Sequence, residues 1–154
     1  MRSMLIKALA LAALALFAVG PVRAQPPTAA QTAQAWGLIG AWQTDCAAAP
    51  SPEYPRGVFE VRNGALVYER FSGGDSDNAP ITGAVRRPDG ALVLTIDFTS
   101  AGGFREWVIG KADANRFRSL SNRSLSSGVY SVRDGLLVAT GQPTPWNHRC
   151  SSGR

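Results

Sequence analysis

Histidine is almost missing from this chain: His148 is the only one in 154 residues. That excludes a zinc site built on several imidazoles. It also leaves a Ser-His-Asp triad with a single candidate base, placed beside a cysteine, where a packed or exposed histidine is the better reading. No G-x-S-x-G occurs, so nothing presents a serine nucleophile on a strand-turn-helix elbow. Cysteine is scarce too. Cys46 and Cys150 stand alone and far apart, without the close C-x-x-C spacing of a redox pair. No apolar run reaches the roughly twenty residues that a membrane-spanning helix requires.

What is present begins with a leader. Arg2 and Lys7 are the only charges before Ala8–Val19, a stretch of nothing but Ala, Leu, Phe and Val, followed by Gly20-Pro21 and Val22-Arg23-Ala24. A basic start, a short apolar core and an A-x-A-like site predict a secretory signal peptide over residues 1–24 and a mature chain from Gln25. No cysteine follows the apolar run closely enough to mark a lipid anchor. Losing Arg2, Lys7 and Arg23 with the leader takes the formal charge from +5 to +2. So weak a field argues against a nucleic-acid partner. Outside the reducing cytosol, an even cysteine count reads as one disulfide, Cys46–Cys150.

Residues 25–35 are small, polar and proline-marked, and read as a flexible lead-in in which Thr28 is placed to cap a short helix reaching Trp36. Residues 36–154 then show short β-type runs divided by strong turn signals. Asn63-Gly64 joins Gly57–Arg62 to Ala65–Phe71, and Asp134-Gly135 joins Ser131–Arg133 to Leu136–Thr140; both dipeptides favour the tight turn that matches strand twist. Pro88-Asp89-Gly90 links Ile81–Arg87 to Ala91–Phe98, and Phe104–Ile109 faces Phe117–Asn122. With Ala41–Asp45 in front, hairpin follows hairpin and no crossover helix intervenes. That order predicts an all-β fold, a single up-and-down antiparallel β-barrel of about eight strands, with a flattened sandwich as the alternative.

Gly40-Ala41-Trp42, at the entry to the first strand after a short helix, resembles the G-x-W signature of the lipocalin and wider calycin barrels. The resemblance implies that Gly40 permits the turn into the strand and that Trp42 closes the barrel base beneath a basic side chain from near the last strand. Arg149 is the candidate for that role, since a guanidinium stacks on an indole face. Family barrels of this kind carry small hydrophobic ligands, although this chain is shorter than typical lipocalins and lacks a long helix after its last strand. Small secreted protease inhibitors share an early G-x-W and a compact barrel. Trp36-Gly37-Leu38, Asp45-Cys46, Ser121-Asn122-Arg123 and Pro143-Thr144-Pro145-Trp146 together are similar to small secreted proteins of alphaproteobacteria, which implies export to a bacterial periplasm and no particular activity.

Among candidate sites, Tyr68, Arg70, Arg105 and Trp107 fall on central strands, where two aromatics and two cations suit an anionic or amphipathic ligand in one cavity. Glu69 with Glu106, or Glu60 with Asp97, are the carboxylate pairs that would serve acid–base chemistry if they converged. Ser72-Gly73-Gly74-Asp75-Ser76-Asp77-Asn78 has the alternating acids of a calcium loop but lacks its closing glutamate, and reads as a mobile hairpin tip. Arg86, Arg87, Arg116, Arg118, Arg123 and Arg133 read as a solvated rim. The expectation is a non-enzymatic barrel, with no cofactor or metal, that binds a small hydrophobic or amphipathic molecule. The alternative is a hydrolase inhibitor acting on a protein partner through Ser72–Pro80 or Gln142–Asn147.

Overall fold

The computed structural model describes residues 25–99 and 102–151; the leader lies outside them. Helix α1 (Ala29–Trp36) is followed by β1 (Gly40–Gln43), β2 (Arg56–Arg62), β3 (Ala65–Ser72), β4 (Asp75–Arg86), β5 (Leu92–Phe98), β6 (Gly103–Asp113), β7 (Arg116–Ser124), β8 (Tyr130–Arg133), β9 (Leu136–Leu137) and β10 (Asn147–Cys150). Every pairing is antiparallel and each of β1 to β8 pairs with the next in sequence. The ring closes through β10, which pairs with β1 on one side and with the start of β7 on the other. The result is a closed eight-stranded barrel.

The tight turns form where the sequence places them. Asn63 and Asp134 adopt φ of 51° and 52°, and Gly64 and Gly135 follow at 80° and 75°. Two consecutive left-handed residues make the turn that a twisted hairpin requires. One expected hairpin is longer than its sequence pattern. Asp75 pairs with Ser72 across Gly73-Gly74, so the stretch read as a mobile tip is a continuous ladder down β3 and β4. Asp75 to Asn78 is polar on both faces, which hides a strand from periodicity.

The second departure concerns β8 and β9. They were expected to continue the wall, but β7 divides its partners: Arg116 and Phe117 pair with β10, whereas Asn122 and Arg123 pair with β8. β8 and the two-residue β9 therefore form a side ribbon on the upper half of β7. The ribbon is tied back by the Thr144 hydroxyl, which donates to the Ser119 carbonyl at 2.6 Å.

Helix α1 takes in most of the stretch read as lead-in. Thr28 and Gln31 exchange side chain-to-backbone hydrogen bonds of 3.2 and 2.9 Å at its start, satisfying donors that a helix leaves open. Gly37, at φ 80°, ends it. Ala30, Ala33 and Trp36 lie on one face, are buried, and pack on β4 and β3. The helix thus stoppers one end of the barrel, and the Trp36 indole N–H donates to the Gly90 carbonyl at 2.8 Å.

Inside, Leu92, Leu94 and Ile96 are fully buried on the inward face of β5, as alternation predicts. Trp42, Phe59, Phe117, Leu66 and Ile109 complete the core around them. Burial of each large side chain contributes roughly 1.5–3 kcal/mol. Cys46 and Cys150 are joined in a disulfide across a separation of 104 residues. On the chain-entropy argument, closing so long a loop stabilises the barrel by about 4–5 kcal/mol.

Candidate ligand-binding site

The two ends of the barrel differ in chemistry. At the helix end, Gly40 has φ 134°, and the Arg149 guanidinium lies so close that a Cβ there would stand 2.7 Å from its Nη1. Arg149 sits 4.3 Å from the Trp42 ring centroid and donates to the carbonyls of Ile39, at 2.7 Å, and Gly37. The Trp42 indole N–H donates to Leu38 at 2.7 Å. Gly40, Trp42 and Arg149 therefore form a sealed base in which each polar group meets a main-chain carbonyl.

From that base a column of rings climbs the lumen. Trp42 and Phe117 meet edge to face at 4.8 Å, and Phe117 lies 6.4 Å from Phe59. Phe59 is 4.9 Å from Tyr68, and Tyr68 is 5.6 Å from Trp107 and 6.2 Å from Phe98. The lower lumen is filled by side chains. Above the column the packing stops.

There, at the open end, a cavity of about 390 Å³ is lined by Tyr68 and Arg70 from β3, Phe98 from β5, Arg105 and Trp107 from β6, and polar groups of β7 and β8. The four residues singled out by strand position thus share one hollow. Residue spacing explains it: Tyr68 with Arg70, and Arg105 with Trp107, are two apart and so point the same way. The ladder sets Trp107 opposite Leu94 and Arg105 opposite Ile96, whose side chains face the core.

Arg70, Arg105 and Trp107 each have a partner at the mouth. Arg70 pairs with Asp77 across the β3–β4 ladder. Arg105 donates to the Asn122 amide oxygen at 2.6 Å and to the Ser131 hydroxyl at 3.0 Å, and meets no carboxylate among the described residues. The Trp107 indole N–H donates to the Ser119 hydroxyl at 2.7 Å. Ser131 is the extra residue of a bulge where β8 meets β7, and the bulge is what turns its hydroxyl to Arg105. Tyr68 leans over β2 at Gly57, where a Cβ would come 2.9 Å from its ring. Burial pushes the Tyr68 phenol up to about 12, with Arg70 opposing weakly. The phenol is therefore a neutral hydrogen-bonding group throughout the ordinary pH range.

Sequence reasoning missed Phe98, Ser119, Asn122 and Ser131 as lining residues. Phe98 was legible, since it continues the inward face of Leu94 and Ile96. The other three were not, because bulges at Leu120 and Ser131 shift the register that would have phased them.

The carboxylate pairs do not converge. Glu69 and Glu106 alternate with the lining residues and point outward, where Glu69 pairs with Arg62 and Glu106 with Arg123 at 2.9 Å. Glu60 also pairs with Arg62, and Asp97 accepts from Thr99. His148 is exposed on β10. No cluster of His, Cys, Asp or Glu able to hold a metal occurs among the described residues. What the arrangement can do is bind: apolar rings below, two guanidiniums and a phenol at the rim. No family model matches this chain, and neither does a curated protein or a solved structure.

Proposed function

We propose that this protein is a non-enzymatic, lipocalin-like binding barrel whose open end takes a small amphipathic molecule carrying an anionic group. The apolar body of the ligand lies against Tyr68, Phe98 and Trp107, and its acidic end lies at Arg105, with Arg70 and its partner Asp77 beside it. The observation that carries this reading is the shared cavity of about 390 Å³, which falls within the usual range for small-ligand sites. Arg105 supports it further. A guanidinium held only by neutral acceptors retains its full attraction for an oxyanion. The Gly40, Trp42 and Arg149 base supports the lipocalin-like assignment, within a group of small secreted alphaproteobacterial proteins. Export to a periplasm is part of the same proposal, and the disulfide supports an oxidising compartment.

An inhibitor-type module has less behind it. Ser72–Pro80 is bound into the β3–β4 ladder rather than offered as a loop, and Thr144 pins the Gln142–Asn147 segment to β7.

The test is native mass spectrometry of gently purified protein, followed by titration with decanoate as an anionic alkyl probe and Trp fluorescence as the signal. The reading expects a stoichiometric extra mass released on denaturation, or saturable decanoate binding that Arg105→Gln weakens by about tenfold. A bare protein that does not bind decanoate, or binding that Arg105→Gln leaves unchanged, overturns it.

A further inference from the structure

On the outside of the barrel wall, toward the helix end, lies a second hollow of about 430 Å³, bordered by the β4–β5 turn, β6, β7 and Trp146. It differs from the mouth in its charge. Arg86, Lys111 and Arg118 converge on it, and one carboxylate, Asp89, borders it. That carboxylate is engaged by Arg87 at 2.8 Å.

Elsewhere on the surface Arg62, Arg70, Arg116 and Arg123 each meet an acid, and Arg105 and Arg133 stand apart from one another, with neutral partners or an aromatic ring instead. Among the described residues, none of the three cations facing the hollow has an ion-pair partner. Like charges that gather without counter-ions are held there by the fold at a cost in repulsion. Burial draws the Lys111 ammonium below the ordinary lysine value, and Arg149 and Arg86 add to the effect.

The site is built rather than incidental. Lys111 is fixed by a hydrogen bond to the Trp36 carbonyl and by the Trp36 ring, 4.3 Å from the ammonium. An ammonium has three donors, and this carbonyl takes one. Arg118 stacks 5.1 Å from the Trp146 ring centroid, which holds the guanidinium at the rim. The floor comes from the β7 bulge. Leu120, its extra residue, folds over Gly110, where a Cβ would stand 2.7 Å from the Leu120 Cδ1. A Cβ there would push the Leu120 side chain aside, so a bulge and a glycine together shape the hollow.

We propose that this hollow is a second binding site, distinct from the barrel mouth, for a compact and multiply charged anion of the phosphoryl class. Two guanidiniums and an ammonium arriving from separate strands match an oxyanion with several acceptor oxygens on different sides. A single carboxylate would leave part of the cluster unmatched. The phosphoryl group has two sources, a soluble organic phosphate or a phospholipid headgroup, and the same chemistry serves both.

Pyrophosphate is the probe, with chloride at equal ionic strength as the control. In proton–nitrogen spectra of the wild-type chain, the Trp146 indole N–H and the Gly110 amide are expected to shift saturably with pyrophosphate and not with chloride. Arg86→Gln with Arg118→Gln is expected to weaken the affinity by about tenfold or more. Both side chains lie at the surface, and the wild-type shift map decides the location even if the double variant folds poorly. Sedimentation with vesicles of phosphatidylglycerol in phosphatidylcholine separates the sources. Pelleting that pyrophosphate reverses and the double variant loses assigns a headgroup; absence of pelleting beside saturable shifts assigns a soluble phosphoryl compound. No saturable shift with pyrophosphate, shifts spread over arginines remote from the hollow, or an affinity unchanged in the double variant overturns the proposal.

Discussion

Each end of the barrel holds an arginine and a tryptophan, and the two pairs have opposite fates. Arg149 stacks on Trp42 and gives its donors to the carbonyls of Ile39 and Gly37. Arg105 stands two residues from Trp107 and gives its donors to the side chains of Asn122 and Ser131. Main-chain carbonyls inside a fixed turn cannot rotate away, so the Arg149 contacts are permanent. An amide and a hydroxyl at a rim can exchange with water or a ligand at little cost. The same two residue types therefore make a plug at one end and a receptor at the other, and the partners decide which.

Substitutions sharpen that contrast. Trp42→Ala removes a fully buried ring from the plug and should lower stability by about 3–5 kcal/mol, read from denaturant unfolding. A loss within half a kcal/mol (roughly the noise of neutral surface changes) would mean that the base is not what closes the barrel. Cys46→Ser should follow, at about 2–5 kcal/mol, and should match wild type once wild type is reduced. At the open end the balance reverses. Trp107→Leu should cost only about 1–2 kcal/mol, because the indole is partly exposed, yet decanoate affinity, read by calorimetry because the variant lacks the lining indole, should fall by about tenfold or more.

The effect confined to the narrowest range of conditions concerns pH. The Tyr68 phenol ionises near 12 in the folded chain against 10.0 when free, so above about pH 10 the unfolded chain ionises first. Below that range both states are neutral and the group adds no pH dependence. Stability should then fall with rising pH between 10.0 and about 12, by about 2–3 kcal/mol in all, and Tyr68→Phe should flatten the slope. An identical slope in the variant would remove Tyr68 from the buried set.

Much of the wall was legible because its cues are local. Asn63-Gly64 and Asp134-Gly135 state a turn geometry in two residues, and Leu92 to Phe98 alternates cleanly. Tyr68, Arg70, Arg105 and Trp107 were legible as a group because spacing by two fixes a face without knowledge of the partner strand. Gly40, Trp42 and Arg149 could be named together only through a family resemblance. The rest depends on who pairs with whom. Thr82, Ala112, Leu120 and Ser131 are each one residue too many for their ladders, and each shifts the faces beyond it. Asp75 to Pro80 lacks the apolar rhythm that betrays a strand. The outer hollow draws Arg86, Lys111, Arg118 and Trp146 from four separate segments, so the arginines among them read as rim charges until the wall is assembled.

The position of β10 also sets the order in which the molecule can be completed. As the chain emerges during synthesis, β1 to β7 can assemble hairpin by hairpin while both outer strands keep open edges. β8 covers the far part of the β7 edge, but the β1 edge and the start of β7 find their partner only in Asn147–Cys150, which pairs with both at once and carries Cys150 toward Cys46. Ring closure and covalent locking therefore depend on the same four residues. Until they arrive, the nascent sheet exposes two pairing surfaces to its neighbours. The interval between making β7 and making β10 is the one in which this barrel is most exposed to mispairing.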